Sequence, residues 1–386
     1  MRSGSTDSGS FFSIARTDRR LSAAILTAAF ALPGIPLHAQ SKPQTLLINQ
    51  HAIAVDTRTH RMYAIDEARD QVLVVDCRSG QTASIRVGHE PDALAIDEAT
   101  DRIYVVNAGG GSVSVIDGAR NAVIALVPTD KEPYTIALDA TLNRIYVSNT
   151  FSNLLTVIDG ATNTAKNLPL GSQDALAVDA VRHKLVMFGY ESPTIKLLDE
   201  ASQHVSTLTA APHLWGLAID ERDGELYVPE IGGNALFVAG KVPVSVGDLP
   251  DAVAIDTMHD RIFVANYGTG ATPSTVSEID SVQRKVIATI PVGVRPQAVA
   301  IDAERGLVYV ANSHSNSVTV IDEADGRVLA TLPGGQTPYA LALDPASGAM
   351  FAADYGAHPF TRLNNAGLLN RKTTARQPVE KGNTGQ

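Results

Sequence analysis

The stretch LVYVANSHSNSVTVID, Leu307–Asp322, nearly reproduces RIYVSNTFSNLLTVID, Arg144–Asp159. Both consist of an apolar run ending in Asn, a polar loop, then a second run alternating Val or Ile with a small polar residue and ending in Asp. Alternation at a period of two, bounded by Asn, Ser and Asp, is the pattern of two strands joined by a hairpin. The recurrence makes that hairpin one unit of an internal repeat.

Working outward, each unit opens with a short phrase ending in Asp: AIAVD (Asp56), ALAID (Asp97), TIALD (Asp139), ALAVD (Asp179), GLAID (Asp220), AVAID (Asp256), AVAID (Asp302) and ALALD (Asp344). The steps are 41, 42, 40, 41, 36, 46 and 42 residues. About forty residues holding four β-type runs is the period of a four-stranded propeller blade. The chain therefore reads as all-β: a β-propeller of four-stranded antiparallel blades, eight by the unit count, with seven as the alternative. Two before each Asp stands Ala, in all eight units, with Val, Ile or Leu between. Both faces of this strand are apolar, and one is small, as the crowded centre of a ring requires. Pro169, Pro243, Pro291 and Pro333 fall in or beside the last strand, which assigns it to the outer edge.

The eighth unit has three strands and then a polar tail. QTLLIN (Gln44–Asn49) is expected to supply its fourth, closing the ring and removing the open edges. The expected organisation is thus a signal peptide at 1–39, one propeller domain at 40–364 and a disordered polar tail at 365–386.

IYVVN, IYVSN, IFVAN and VYVAN, each followed by a VxVID-like and then a VIATIPVG-like strand, resemble the YVTN-repeat β-propeller family of YncE-like exported proteins. The likeness spans about residues 45–364. It implies the propeller fold and a general binding role, and supplies no catalytic residue set to carry over.

The N-terminus has the form of an export signal. RTDRR (Arg16–Arg20) precedes the apolar run Leu21–Leu37, with a cut expected near Ala39. Pro33, Gly34 and Pro36 interrupt the run, which argues against a membrane span. A periplasmic or secreted protein is expected, with no membrane span. Formal charge is −10 for the 386 residues, and residues 1–39 carry a net +2, so the body is more acidic still. Affinity for nucleic acid rests on neutralising phosphates with Lys and Arg, so such a body argues against it as a partner. The single cysteine, Cys77, excludes an intramolecular disulfide. It reads as a structural thiol.

The aspartates that end the strands precede turns and occur once per blade, so turn capping explains them better than metal binding. The Asn of the Y-V-x-N strings reads as a scaffold residue whose amide holds the loop to the next strand. Function is expected where the repeat varies. Five residues before each Asp, at the top mouth of the innermost strand, stand His51, Asp92, Tyr134, Asp174, Trp215, Asp251, Gln297 and Tyr339. Loops after the second strand add Glu230, Tyr267, His314 and Tyr355. Together they form an expected channel mouth that is polar, aromatic and different in every blade, suited to a small-molecule ligand or a protein partner. The leading expectation is a monomeric, non-enzymatic binding or scaffold protein with no cofactor and no assigned metal ligand. The alternative is a lactonase-like hydrolase or lyase, with Asp92, Asp174, Glu230, Asp251 and His51 converging on an axial metal. A third is a propeller holding a redox cofactor non-covalently.

Overall fold

The computed structural model describes residues 52–369, apart from 150, 151 and 172. The expected signal peptide, His51 and the strand at Gln44–Asn49 lie outside the described residues. Among the described residues, eight antiparallel sheets follow one another, seven of four strands and the last of three, each in simple up-and-down order. Their spans are 53–86, 91–128, 133–168, 175–209, 218–245, 250–291, 296–333 and 340–362. Blade five is the slightest, its first and fourth strands shrunk to Ala218–Ile219 and Val244–Ser245. It occupies the short step of the repeat.

The core is a ring of inter-blade clusters. Blade one packs on blade two through Tyr63, Val72 and Ile85 against Leu94 and Ile103. The same pattern carries on round to Phe351 of blade eight, which shares a cluster with Ile53, Met62 and Cys77 of blade one. The ring therefore closes. The repeated alanine makes this closure sterically feasible: Ala137, Ala177, Ala218, Ala254 and Ala300 are wholly buried. Outer strands are exposed on most positions, as in Thr164–Leu168. Pro291 and Pro333 end two of them, where no ladder partner is lost.

The strand-ending aspartates do cap turns. Asp56 Oδ1 accepts from the backbone N–H groups of Arg58 and Thr59, both at 2.9 Å. Asp97, Asp139 and Asp256 repeat the arrangement. The Y-V-x-N asparagines are buried, and their amides donate to the third strand: Asn266 to Thr275 and Ser277, both at 3.0 Å, and Asn312 to Thr319 at 2.9 Å. Asn365, placed by sequence at the start of the tail, is 4% exposed. Its amide donates to the Tyr309 hydroxyl at 3.0 Å and to the Gly348 carbonyl at 2.9 Å. No helix among the described residues is long and apolar enough to cross a membrane.

Candidate functional site

A proline stands six residues before the Asp in five blades: Pro91, Pro133, Pro250, Pro296 and Pro338. The residue before each adopts positive φ: Glu90 (51°), Glu132 (49°), Leu249 (52°), Arg295 (56°) and Thr337 (53°). L-residues rarely accept this conformation, and proline restricts its predecessor further. Hydrogen bonds from the following loop hold it: Tyr267 N–H donates to the Leu249 carbonyl and Ser313 N–H to that of Arg295, both at 2.9 Å.

Immediately after the proline the ladder is interrupted. Pro91 pairs with Asn107 and Ala93 with Val106, so Asp92 is the extra residue of a β-bulge. Asp251 and Gln297 are extra residues in the same way. A bulge re-aims the side chain it carries. The variable position of the repeat is thus, in these blades, a side chain released from the regular pleat at the top of the innermost strand.

These residues form three groups. The first lines a cavity of about 400 Å³ that brings together Asp92, Tyr134, Tyr339 and Tyr355 with Glu67 and Arg69. Tyr339 and Tyr355 are stacked, with centroids 4.5 Å apart. Of the other pocket carboxylates, Asp66 accepts from Arg69 at 2.9 Å and Gln71 at 2.8 Å, and Asp354 from Thr361 at 2.7 Å and Gly356 at 2.8 Å. Asp92 takes no such bond among the described residues. Burial, with Glu67 alongside, pushes its pKa up to about 7. Tyr134 is raised well above its ordinary value by burial and by the nearby Asp92, Asp174 and Tyr355.

The second group belongs to blades four and five. Trp215 is 8% exposed and meets Tyr190 edge-on at 5.4 Å, and Tyr190 lies 5.1 Å from His213. The indole N–H meets no hydrogen-bond partner among the described residues. Trp215 caps core rather than lining the cavity. Glu230 is 6% exposed and faces the Ala211 N–H at 3.4 Å. Asp174 accepts from the Tyr190 N–H at 2.7 Å, and burial raises its pKa.

The third group spans blades six and seven. The Arg295 guanidinium sits 5.0 Å above the Tyr267 ring and donates to His314 Nε2 at 2.7 Å. Burial and the Arg295 charge hold His314 below its ordinary value. Asp251, partly buried with one oxygen sealed and unbonded among the described residues, is pushed up to about 8 by burial. Gln297 is partly buried.

Eleven of the twelve expected mouth positions fall among the described residues, His51 being the exception, and they are divided. Asp92, Tyr134, Tyr339 and Tyr355 share a cavity; Asp174, Trp215 and Glu230 sit elsewhere, as do Asp251, Tyr267, Gln297 and His314. Asp92, Asp174, Glu230 and Asp251 do not gather, among the described residues, into a group with metal-ligand spacing. Sequence reasoning missed Glu67, Arg69 and Arg295. The repeated proline, one residue before the mouth position, was the available signal for the bulges.

No family model and no curated protein matches the chain. Solved structures do. The chain is similar to Kuenenia stuttgartiensis hydrazine synthase, at 17% identity and TM-score 0.56, with 85% of this chain and 98% of that one covered. It is also similar to the dihydro-heme d1 dehydrogenase NirN in complex with DHE, at 13% identity and TM-score 0.65, covering 88% of this chain and 79% of that one. At these identities the likeness is one of fold, that of an eight-bladed propeller.

Proposed function

We propose that this chain is an exported, non-enzymatic binding protein of the YVTN-repeat type, which takes a small flat ligand in the top-face cavity at blades eight, one, two and three. The stacked Tyr339–Tyr355 pair carries the reading. A partly exposed aromatic pair offers a planar surface at low conformational cost. Asp92 stands in the same cavity beside Glu67 with no hydrogen-bond partner among the described residues, while Arg69, the one guanidinium among the described lining residues, is paired with Asp66. This balance favours a neutral or cationic ligand over a polyanion. The cavity is within the usual range for small-molecule sites.

Tryptamine and indole-3-acetate, similar in size and opposite in charge, test it by calorimetry and thermal shift. Tryptamine is expected to bind, and binding to be lost in a Tyr339→Ala/Tyr355→Ala variant. Preference for the acetate, or equal binding by the variant, overturns the reading.

The fold likeness to NirN supports a second reading, a non-covalently held tetrapyrrole. No histidine stands among the cavity's described lining residues. A shifted haem absorption band on mixing, lost in the same variant, would favour it over the first.

A further inference from the structure

The third residue of the second strand is usually Tyr, and its ring reaches the residue that follows the third strand of the next blade. A side chain on Gly160 would begin 2.8 Å from the Tyr104 hydroxyl. Tyr146 faces Glu200, and Tyr309 takes a hydrogen bond from Asn365. Blade eight has Phe351 instead, and the matching residue in blade one is the apolar Cys77, in the same cluster.

The junction of blades six and seven sets an acid against a ring without a hydroxyl. Blade six has Phe263, with no hydroxyl, and the matching residue of blade seven is Glu323, 5% exposed. Neither Glu323 oxygen has a hydrogen-bond partner among the described residues. A second departure adjoins it. Glu278 is wholly buried in Thr275–Asp280, where the repeat has Val115, Val157 and Val320. Arg261 Nε lies 3.2 Å from Glu278 Oε1, and its Nη1 3.6 Å from Asp280 Oδ2. That guanidinium is thus engaged with two other carboxylates.

Asp256 is oriented toward the same spot. Its Oδ1 caps the turn through the Met258 and His259 N–H groups, at 2.7 and 3.2 Å, which leaves Oδ2 to face His259. His259 Nδ1 is 2.8 Å from Asp256 Oδ2 and 3.4 Å from Glu323 Oε2. A ring nitrogen carries one hydrogen and can serve only one of them. Donor atoms of Asp256, His259 and Glu323 all lie within 4.8 Å of one another.

We propose that Asp256, His259 and Glu323 hold a divalent transition-metal ion at the lower junction of blades six and seven. Two carboxylate oxygens and an imidazole nitrogen suit Zn²⁺ or Mn²⁺. Ca²⁺ asks for six or more oxygens. The cation gives the facing Asp256 and Glu323 carboxylates a shared counter-charge and ties two blades together. The turn-capping bonds on Asp256 are the outer contacts that fix a ligand's orientation. This site stands at the opposite end of the Pro250–Asp256 strand from Asp251, about 16 Å away at 3.3 Å per residue, so it is separate from the mouth.

The test uses the full chain, stripped with EDTA and titrated with ZnCl₂, MnCl₂, CaCl₂ and MgCl₂ by calorimetry and thermal melting. One equivalent of Zn²⁺ or Mn²⁺ is expected to bind and raise Tm. Loss of an outer contact costs 10–100-fold, so Glu323→Gln and His259→Gln are expected to weaken binding by at least about 100-fold. Asp92→Asn, on the other face, leaves it unchanged. Equal binding by wild type and both variants overturns the proposal. So does an absence of any metal effect on wild type, with Glu323→Gln the more stable protein, which is the behaviour of two carboxyls merely sharing a proton. Tighter binding of Ca²⁺ than of Zn²⁺ or Mn²⁺ overturns the ion class. If Glu323→Gln fails to fold, His259→Gln decides, since its side chain is partly exposed.

Discussion

The rings of Tyr339 and Tyr355 lie face to face at the top of the ring, 23° from parallel. Tyr355 is 41% exposed, whereas Tyr339 is partly buried beside the first strand of blade eight. Truncating the outer ring therefore removes ligand surface and little core. Tyr355→Ala is expected to cost about 0.5–1.5 kcal/mol of stability, the worth of an aromatic pair, and to weaken tryptamine binding by about tenfold or more. Paired denaturant and calorimetric titrations separate the two effects.

Asp251 makes stability depend on pH. Its folded-state pKa, about 8, lies above its ordinary 3.8. Between those values the native chain holds a proton that the unfolded chain has released, so its contribution to stability declines as pH rises from about 4 to 8. Asp251→Asn removes the titrating group. The variant is expected to match wild type near pH 4 and to exceed it by on the order of 2 kcal/mol or more at pH 8.5. Urea unfolding at the two pH values measures this, and a difference of the opposite sign would sink the assignment.

Gly160 has no room for a side chain. An added Cβ would collide with the Asn143 side-chain carbonyl and approach the Tyr104 hydroxyl. Gly160→Ala is expected to cost roughly 1–3 kcal/mol. Tyr104→Phe in the same background should recover part of that, giving a coupling of about 0.5 kcal/mol or more in a double-mutant cycle.

Cys77 is buried, and burial pushes its thiol up to about 12. At pH 8 roughly one thiol in ten thousand is ionised, and the thiolate is the reacting form. A chromogenic disulfide reagent is expected to leave the native protein untouched and to titrate one equivalent once guanidinium unfolds it.

The blades were legible because propeller geometry repeats its demands. A crowded axis asks for alanine at Ala137, Ala177 and Ala254 alike, and the same loop asks for an amide at Asn107, Asn266 and Asn312. Repetition exposes such demands without any coordinates. The mouth was legible only in outline. Position within the repeat located Asp92 and Tyr339 but not their grouping, because distances across the axis join residues far apart in the chain and depend on the bulge after each proline. Trp215 illustrates the difference: equivalent to Asp92 by position in the repeat, it is buried edge-on against Tyr190 instead of lining the cavity. The acidic junction was missed for another reason. Attention fell on residues that vary at the loops, whereas Glu278 departs from the repeat inside a strand, as TVSEID against SVSVID. Comparing strand interiors blade by blade would have found it.

The side chain that each second strand sends toward the next blade, tyrosine at most junctions, has a consequence for how such a chain can change over time. Near-identical units invite recombination, and a ring of interchangeable blades would tolerate their exchange. These blades are not interchangeable, because each carries half of two interfaces. A copy of blade two in place of blade six would set Tyr104 against Glu323 and leave the Asp256–His259 pair behind. Blades six and seven can be inherited, lost or transplanted only together, and the heritable module of this protein is the seam rather than the blade.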